Sequence, residues 1–362
     1  MSRPFLLATL AIIVAVTACG GSPEETITGP QPPPPQLDPL RKVLADRGLK
    51  IGVGTAIGSL FNNTTDPAAG QYLTVLTREF NVITPENDMK FGPLRPAQNQ
   101  FRFSRADSMV AFAAANGMKV RGHTLVWHQQ LASWLTGGSW TTDQVKALLD
   151  EHIATVVSHY KGQLSAWDVV NEAFDDGGGA RTSSFWYSKI GSGYIEQAFK
   201  TARAADPDTP LFYNDYNIEG MNAKSDAVYA MLADFKGRGV PVDGIGVQMH
   251  LIVGALPPLV SIQQNFARLA ALGLKIHITE LDIRMNLPTT EQMLAAQAQN
   301  YRDVFNICLQ QSACEMVVMW GFTDRSSWVP GTFPGQGDAL IFDSAFQPKP
   351  AYTAINNLLA GK

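Results

Sequence analysis

Two short apolar runs in this chain each end in a glutamate. The first is Trp167-Asp168-Val169-Val170-Asn171-Glu172, and the second is Lys275-Ile276-His277-Ile278-Thr279-Glu280-Leu281-Asp282. Aromatic and β-branched residues at this density read as buried strands. A carboxylate at the end of a buried strand costs free energy unless it is paired or put to use. Two carboxyl groups brought together by two strands suit glycoside hydrolysis, where one serves as general acid and the other as base or nucleophile. A structural salt bridge accounts for one such glutamate equally well, and for two in matched positions much less well.

The elements that would position this pair follow from the alternation of short apolar runs with longer amphipathic ones. Strands are expected at 51–55, 80–84, 118–125, 164–170, 211–216, 244–249, 275–280 and 316–320. Helical patterns lie between them, among others at 105–116, 142–160, 194–205, 222–238, 261–272 and 291–309. Strand–helix alternation implies a parallel sheet covered by helices. Eight such units in one uninterrupted stretch predict an α/β fold of the (β/α)8 TIM-barrel type, a single catalytic domain over residues 38–362. The rival, an open doubly wound sheet, would show a glycine-rich turn after its first strand, and Gly52-Val53-Gly54 is too thin to count.

Polar residues cluster where seven of these strands end. They are Glu86, Asn87 and Lys90; His123 with Trp127; Asn171 and Glu172; Asn214 to Tyr216; Gln248 and His250; Glu280 and Asp282; and Trp320. In a barrel the C-terminal strand ends share one face, where active sites form. Loop solubility alone does not explain this convergence.

The chain has 362 residues, 45% hydrophobic and 17% charged, with a formal net charge of −4. No block of Lys or Arg marks a nucleic-acid partner. There is no phosphate-binding glycine loop and no metal-type Cys/His spacing, so no cofactor and no metal are expected. Arg3 followed by the apolar run Phe5 to Val16 reads as an export signal, too short to span a membrane. Its end, Val16-Thr17-Ala18-Cys19-Gly20, resembles the lipobox of bacterial lipoproteins. Residues 1–18 are thus the expected signal peptide and Cys19 the lipidated first residue, with an ordinary cleaved signal as the alternative. Residues 19–37 carry Pro32-Pro33-Pro34-Pro35 and read as an extended tether. The expected location is exported and membrane-anchored, on an outer membrane or cell surface, or otherwise secreted.

The strings His123-Thr124-Leu125-Val126-Trp127-His128, Trp167 to Glu172, Gln248-Met249-His250 and Ile278-Thr279-Glu280-Leu281-Asp282 resemble family 10 glycoside hydrolases, the endo-β-1,4-xylanases. Trp320-Gly321-Phe322-Thr323-Asp324 and Lys349-Pro350-Ala351-Tyr352 extend the likeness from about Leu44 to Leu359. The resemblance implies retaining hydrolysis of xylan, with xylan and xylo-oligosaccharides as the partners; separately, the chain is expected to be a monomer whose one membrane contact is the lipid anchor.

It implies Glu172 as acid/base and Glu280 as nucleophile, their carboxyls ~5–5.5 Å apart. His250 and Asp282 would support the nucleophile, Gln248 would sit by the acid/base, and Asn171 would donate to the sugar 2-OH. Glu86, Asn87, Lys90, His123 and Trp127 would hold sugars on the non-reducing side of the cut, with Trp320 and Trp328 covering them. Tyr216 would be a platform past the cut. Ordinary core packing is the competing account of each Trp, and Trp134 and Trp140 are read as packing residues. The glycine-rich loop 175–184 borders the leaving-group side or is passive. Cys308 and Cys314 remain once Cys19 is used; export permits a disulfide and the resemblance implies one, with two buried thiols as the alternative. A different β-1,4-glycan such as cellulose or mixed-linkage glucan, or a non-catalytic glycan-binding lipoprotein, are the competing functions. The last would have lost one of the two carboxylates.

Overall fold

The computed structural model describes residues 37–61 and 67–361. The expected signal peptide, Cys19 and all but the last residue of the tether lie outside the described residues.

Among the described residues ten strands follow in order: β1 Lys50–Thr55, β2 Val82–Pro85, β3 Lys119–Gly122, β4 Ala166–Asn171, β5 Leu211–Asp215, β6 Gly244–Val247, β7 His250–Ile252, β8 Lys275–Asn286, β9 Cys314–Met319 and β10 Gln336–Gly337. Eight of them form one parallel ring, in the order β1-β2-β3-β4-β5-β6-β8-β9, and β9 returns to β1. The sheet therefore closes into the expected (β/α)8 barrel and leaves no open edge. Every strand expected from the sequence is present, displaced by a few residues at its ends.

The displacements have physical causes. The second strand begins at Val82 because Phe80 is fully buried just past the end of the helix Pro67–Glu79. The sixth stops at Val247, where Met249 adopts a left-handed φ of 61°, and the extended chain resumes as β7. β7 pairs with β8, His250 opposite Asp282. That support lets β8 run on to Asn286, well past the Glu280 at which the sequence pattern ended it.

The outer helices lie within about two residues of the expected spans. Two are secured by capping boxes, Thr141 with Gln144 and Asn222 with Ser225, which satisfy orphan N–H groups at the helix starts. Two further helices, Pro67–Glu79 and Pro350–Leu359, begin at proline, which fits the first helical turn but reads as a breaker in a pattern search. Trp134 and Trp140 pack edge to face, and their indole N–H groups bond the carbonyls of Arg95 and Leu135.

The barrel interior beneath the strand ends is polar. Arg121 of β3 donates to both carboxylate oxygens of Asp168 of β4. Asp168 Oδ2 also meets His123 Nδ1 at 2.9 Å. Phe212 of β5 and His277 of β8 stack at 4.1 Å alongside, with the Arg121 guanidinium 5.4 Å from the Phe212 ring. A buried pair of this kind is expensive to break once formed, so it fixes the floor on which His123 stands.

Candidate active site

All the sugar-contact candidates and both glutamates line one cavity of about 680 Å³ at the C-terminal mouth of the barrel. Glu86, Asn87 and Lys90 enter from the β2 end, His123 and Trp127 from β3, Asn171 and Glu172 from β4, and Tyr216 from β5. Gln248, His250, Glu280, Trp320 and Trp328 complete it. Asp282 is fully buried behind His250. The cysteines are elsewhere: Cys308 and Cys314 form a disulfide at the opposite end of the barrel, where β9 begins.

Alternation along a strand would send Asn171 and Glu172 to opposite faces. The backbone defeats it. Glu172 has φ 56°, so the chain turns at that residue while its N–H still bonds the Asn214 carbonyl. Both side chains consequently meet: Asn171 Nδ2 donates to Glu172 Oε1 at 3.1 Å. Gln248 Nε2 donates to the same oxygen at 3.0 Å, and Trp127 Nε1 donates to Oε2 at 2.8 Å. Glu172 is thus held by neutral donors. His128 Nδ1 stands 4.0 Å from Oε2, and burial lowers the pKa of that imidazole, ahead of the opposing pull of Glu172.

Glu280 is held differently. His250 Nε2 lies 3.2 Å from its Oε2, and His250 Nδ1 lies 2.9 Å from Asp282 Oδ2. Trp328 Nε1 donates to that same Asp282 oxygen at 2.7 Å. Burial would strip the proton from His250, but the two carboxylates outweigh it and raise the pKa to about 10. The ring is therefore an imidazolium at neutral pH, donating at both nitrogens. Burial likewise opposes the charge on Glu280, yet the hydrogen bond from His250, the fields of His123 and His250 and the amide of Asn214 together depress its pKa to about 2. Glu280 is an anion across the working range of pH.

Asn214 stands among the polar strand ends noted in the sequence, where no role was assigned to it. Its Nδ2 donates to Glu280 Oε1 and to Asn171 Oδ1, each at 2.8 Å, so it ties the two glutamate sites together. Thr279 Oγ1 donates to Asn214 Oδ1 at 2.6 Å and thereby fixes which end of the amide faces Glu280. Gly246 makes room: a Cβ there would fall 2.2 Å from Asn214 Oδ1. The only signal in the sequence was its place at the end of the fifth strand.

The aromatic walls are equally placed by glycine. A Cβ on Gly54 would lie 2.6 Å from the Trp320 ring, so the indole rests on bare backbone of β1. Trp328 packs 4.8 Å from His250. On the opposite side Lys90 Nζ sits 4.6 Å from the Trp127 ring and donates to Asn87 Oδ1 at 3.2 Å. Burial lowers the Lys90 pKa, and raises that of Glu86 to about 7. Arg181, also unpicked from sequence, donates to the Glu172 carbonyl and the Tyr216 hydroxyl, both at 3.2 Å. The loop that carries it is therefore part of the wall.

A walled cavity with an ionised carboxylate on one side and a carboxyl group among neutral donors on the other has the parts for cleaving an acetal. The sequence profile of Glycosyl hydrolase family 10 matches residues 39–358. The chain belongs to glycosyl hydrolase family 10. Endo-1,4-beta-xylanase B of Thermotoga neapolitana is 48% identical over 325 residues, 90% of this chain and 92% of that protein. An endo-1,4-beta-xylanase of Agaricus bisporus is 45% identical over 86% of this chain and 92% of its own length. Among solved structures, xylanase 10B of Thermotoga petrophila RKU-1 in complex with xylobiose superposes with a TM-score of 0.87 at 45% identity, over 90% of this chain and 98% of that one. This family 10 member is accordingly a glycoside hydrolase.

Proposed function

We propose that this family 10 member is a retaining endo-1,4-β-xylanase acting by double displacement, with Glu280 as nucleophile and Glu172 as acid/base. The carrying observation is the unequal treatment of the two carboxyls, one against an imidazolium and the other among neutral donors. In the first step Glu280 Oε attacks the anomeric carbon and the glycosidic C–O bond breaks. Glu172 gives its proton to the departing sugar oxygen, and a glycosyl ester on Glu280 results. In the second step Glu172 removes a proton from water, whose oxygen displaces the ester and restores the Glu280 carboxylate. Asn171 stands between the two acids and can donate to a sugar hydroxyl as charge develops.

Trp320 and Trp328 close over the Glu280 side, a shape that favours a pyranose with hydrogen rather than hydroxymethyl at C5. The names of the relatives support xylan, and the xylobiose complex of the Thermotoga petrophila structure supports xylo-oligosaccharides. Initial rates on xylan and carboxymethyl-cellulose, with the anomer first released followed by NMR, test substrate and stereochemistry together. Equal or reversed rates would remove the xylanase reading, and an α-anomer released first would remove the double displacement. From the sequence alone we further propose export as a lipoprotein acylated at Cys19; Cys19→Ala should then leave the enzyme unlabelled by radioactive palmitate and in the soluble fraction.

A further inference from the structure

Tyr216 is steadied from behind by a cation that does not reach the cavity. Lys224 is only 1% exposed, and its Nζ sits 3.3 Å from the centre of the Tyr216 ring. The same Nζ lies 2.9 Å from Asp215 Oδ1, which also accepts the Tyr216 backbone N–H at 2.9 Å. Asp215 is fully buried; burial raises its pKa to about 7 against the opposing pull of Lys224. The other Asp215 oxygen accepts the Tyr213 hydroxyl, and that hydroxyl accepts the N–H of Ala173, next to Glu172. Lys224 also lies 3.4 Å from Asp176, and Gly178 packs so close to the Ala223 carbonyl that a Cβ would fall 2.6 Å from it. Loop 175–181, the start of the helix Ala223–Arg238 and the end of β5 therefore form one braced wall.

Trp320 and Trp328 flank His250 on the Glu280 side of the cavity, whereas Arg181 ties the Tyr216 hydroxyl to the Glu172 carbonyl; the reading of Tyr216 as a platform past the cut puts the departing sugar there. We propose that Lys224 is a positioning residue for the leaving-group sugar, acting through Tyr216, and that it governs how strongly this glycosidase uses that sugar to lower its barrier. The reasoning rests on the double-displacement reading above. One face of the Tyr216 ring is covered by the ammonium, and its hydroxyl is tied to Arg181. The ring can turn neither toward its own strand nor into solvent, so its remaining face is offered to a pyranose in one orientation. Binding energy from sugars beyond the scissile bond then reaches the transition state instead of being spent on ordering the platform.

The test compares two substrates. An aryl β-xylobioside places a phenol where the leaving sugar would lie; xylohexaose fills both sides. Lys224→Met leaves Asp215 buried without its cation, so Asp215→Asn/Lys224→Met is made as well, removing both charges together. Far-UV circular dichroism and Tm establish that each variant is folded. The ratio of kcat/KM on xylohexaose to kcat/KM on the aryl substrate should fall about tenfold in the double variant, the size expected when a cation–π restraint on a platform is lost. A proportional loss on both substrates would show Lys224 to be merely structural, and no loss on either would show that the platform needs no brace; either overturns the inference. Native enzyme that turns over the aryl glycoside with inversion would instead sink the double-displacement reading and this inference with it.

Discussion

Replacing His250 by asparagine should move the acid limb of the pH–rate profile. The asparagine keeps one donor near Glu280 but removes the charge that His250 shares between Glu280 and Asp282. In the native enzyme Glu280 is depressed from 4.5 to about 2, a preference for the anion worth ~3 kcal/mol. A charge-assisted hydrogen bond contributes about 1.5–3 kcal/mol, so the imidazolium supplies a large share, with Asn214 and the field of His123 supplying the rest. Without it, burial acts with less opposition, and the limb should rise to about pH 4 or above. The assay is kcat/KM for an aryl β-xylobioside between pH 2.5 and 8, with circular dichroism at each pH to exclude unfolding. His250→Asn/Asp282→Asn, which leaves no unpaired carboxylate behind the ring, should give the same displacement. A limb that stays below pH 3 in both variants would show that His250 does not hold Glu280 ionised.

The same ring makes stability pH-dependent. A folded-state pKa raised to about 10 contributes stability that is fully present below about 6.5 and disappears as pH rises through 10; the gap in urea midpoint between native protein and His250→Asn should close over that window. Glu280→Ala should abolish turnover yet retain xylo-oligosaccharide binding by calorimetry, and residual cleavage would move the nucleophile elsewhere. Gly246→Ala should drive a methyl into the Asn214 amide, 2.2 Å from its Oδ1, and reduce kcat about tenfold to a hundredfold with a smaller change in KM. Breaking the Cys308–Cys314 bridge, whose cysteines are separated by 6 positions, should cost ~2 kcal/mol and lower Tm by about 4 °C, with kcat/KM at 25 °C unaltered because the bridge lies at the far end of the barrel.

The barrel was legible because parallel strands buried on both faces read as continuous apolar runs, and because Glu172 and Glu280 interrupt two of those runs at their ends. Alternation and helical period say little about where the chain leaves the regular geometry, and the site depends on those places. The left-handed residues Glu172 and Met249 turn their strands so that neighbouring side chains converge, and neither is a glycine that would have announced it. Asn214, Arg181 and Lys224 were hidden for another reason. The fold chooses their partners, Asn171 and Glu280 for Asn214 and Tyr216 for Arg181 and Lys224, and an amide or a basic residue at a strand end, in a loop or at a helix start has a common solvated explanation. The polar floor of Arg121, Asp168 and His277 escaped in the same way, since a charge inside an apolar strand reveals its partner only in three dimensions.

Glu172 and Glu280 are joined by a chain of hydrogen bonds through the side-chain amides of Asn171 and Asn214, which Gln248 joins at Glu172. Carboxamides neither gain nor lose a proton at any pH the enzyme meets. The proposed cycle takes one acid from neutral to charged and turns the other from charged to ester, so the local charge is redistributed twice per turnover. A scaffold of amides is charge-silent through those changes: it keeps its donors aimed the same way at every stage. Exchanging any one of the three for its acid, Asn214→Asp above all, would add a titrating group beside the two glutamates and let the framework compete for the proton that Glu172 delivers.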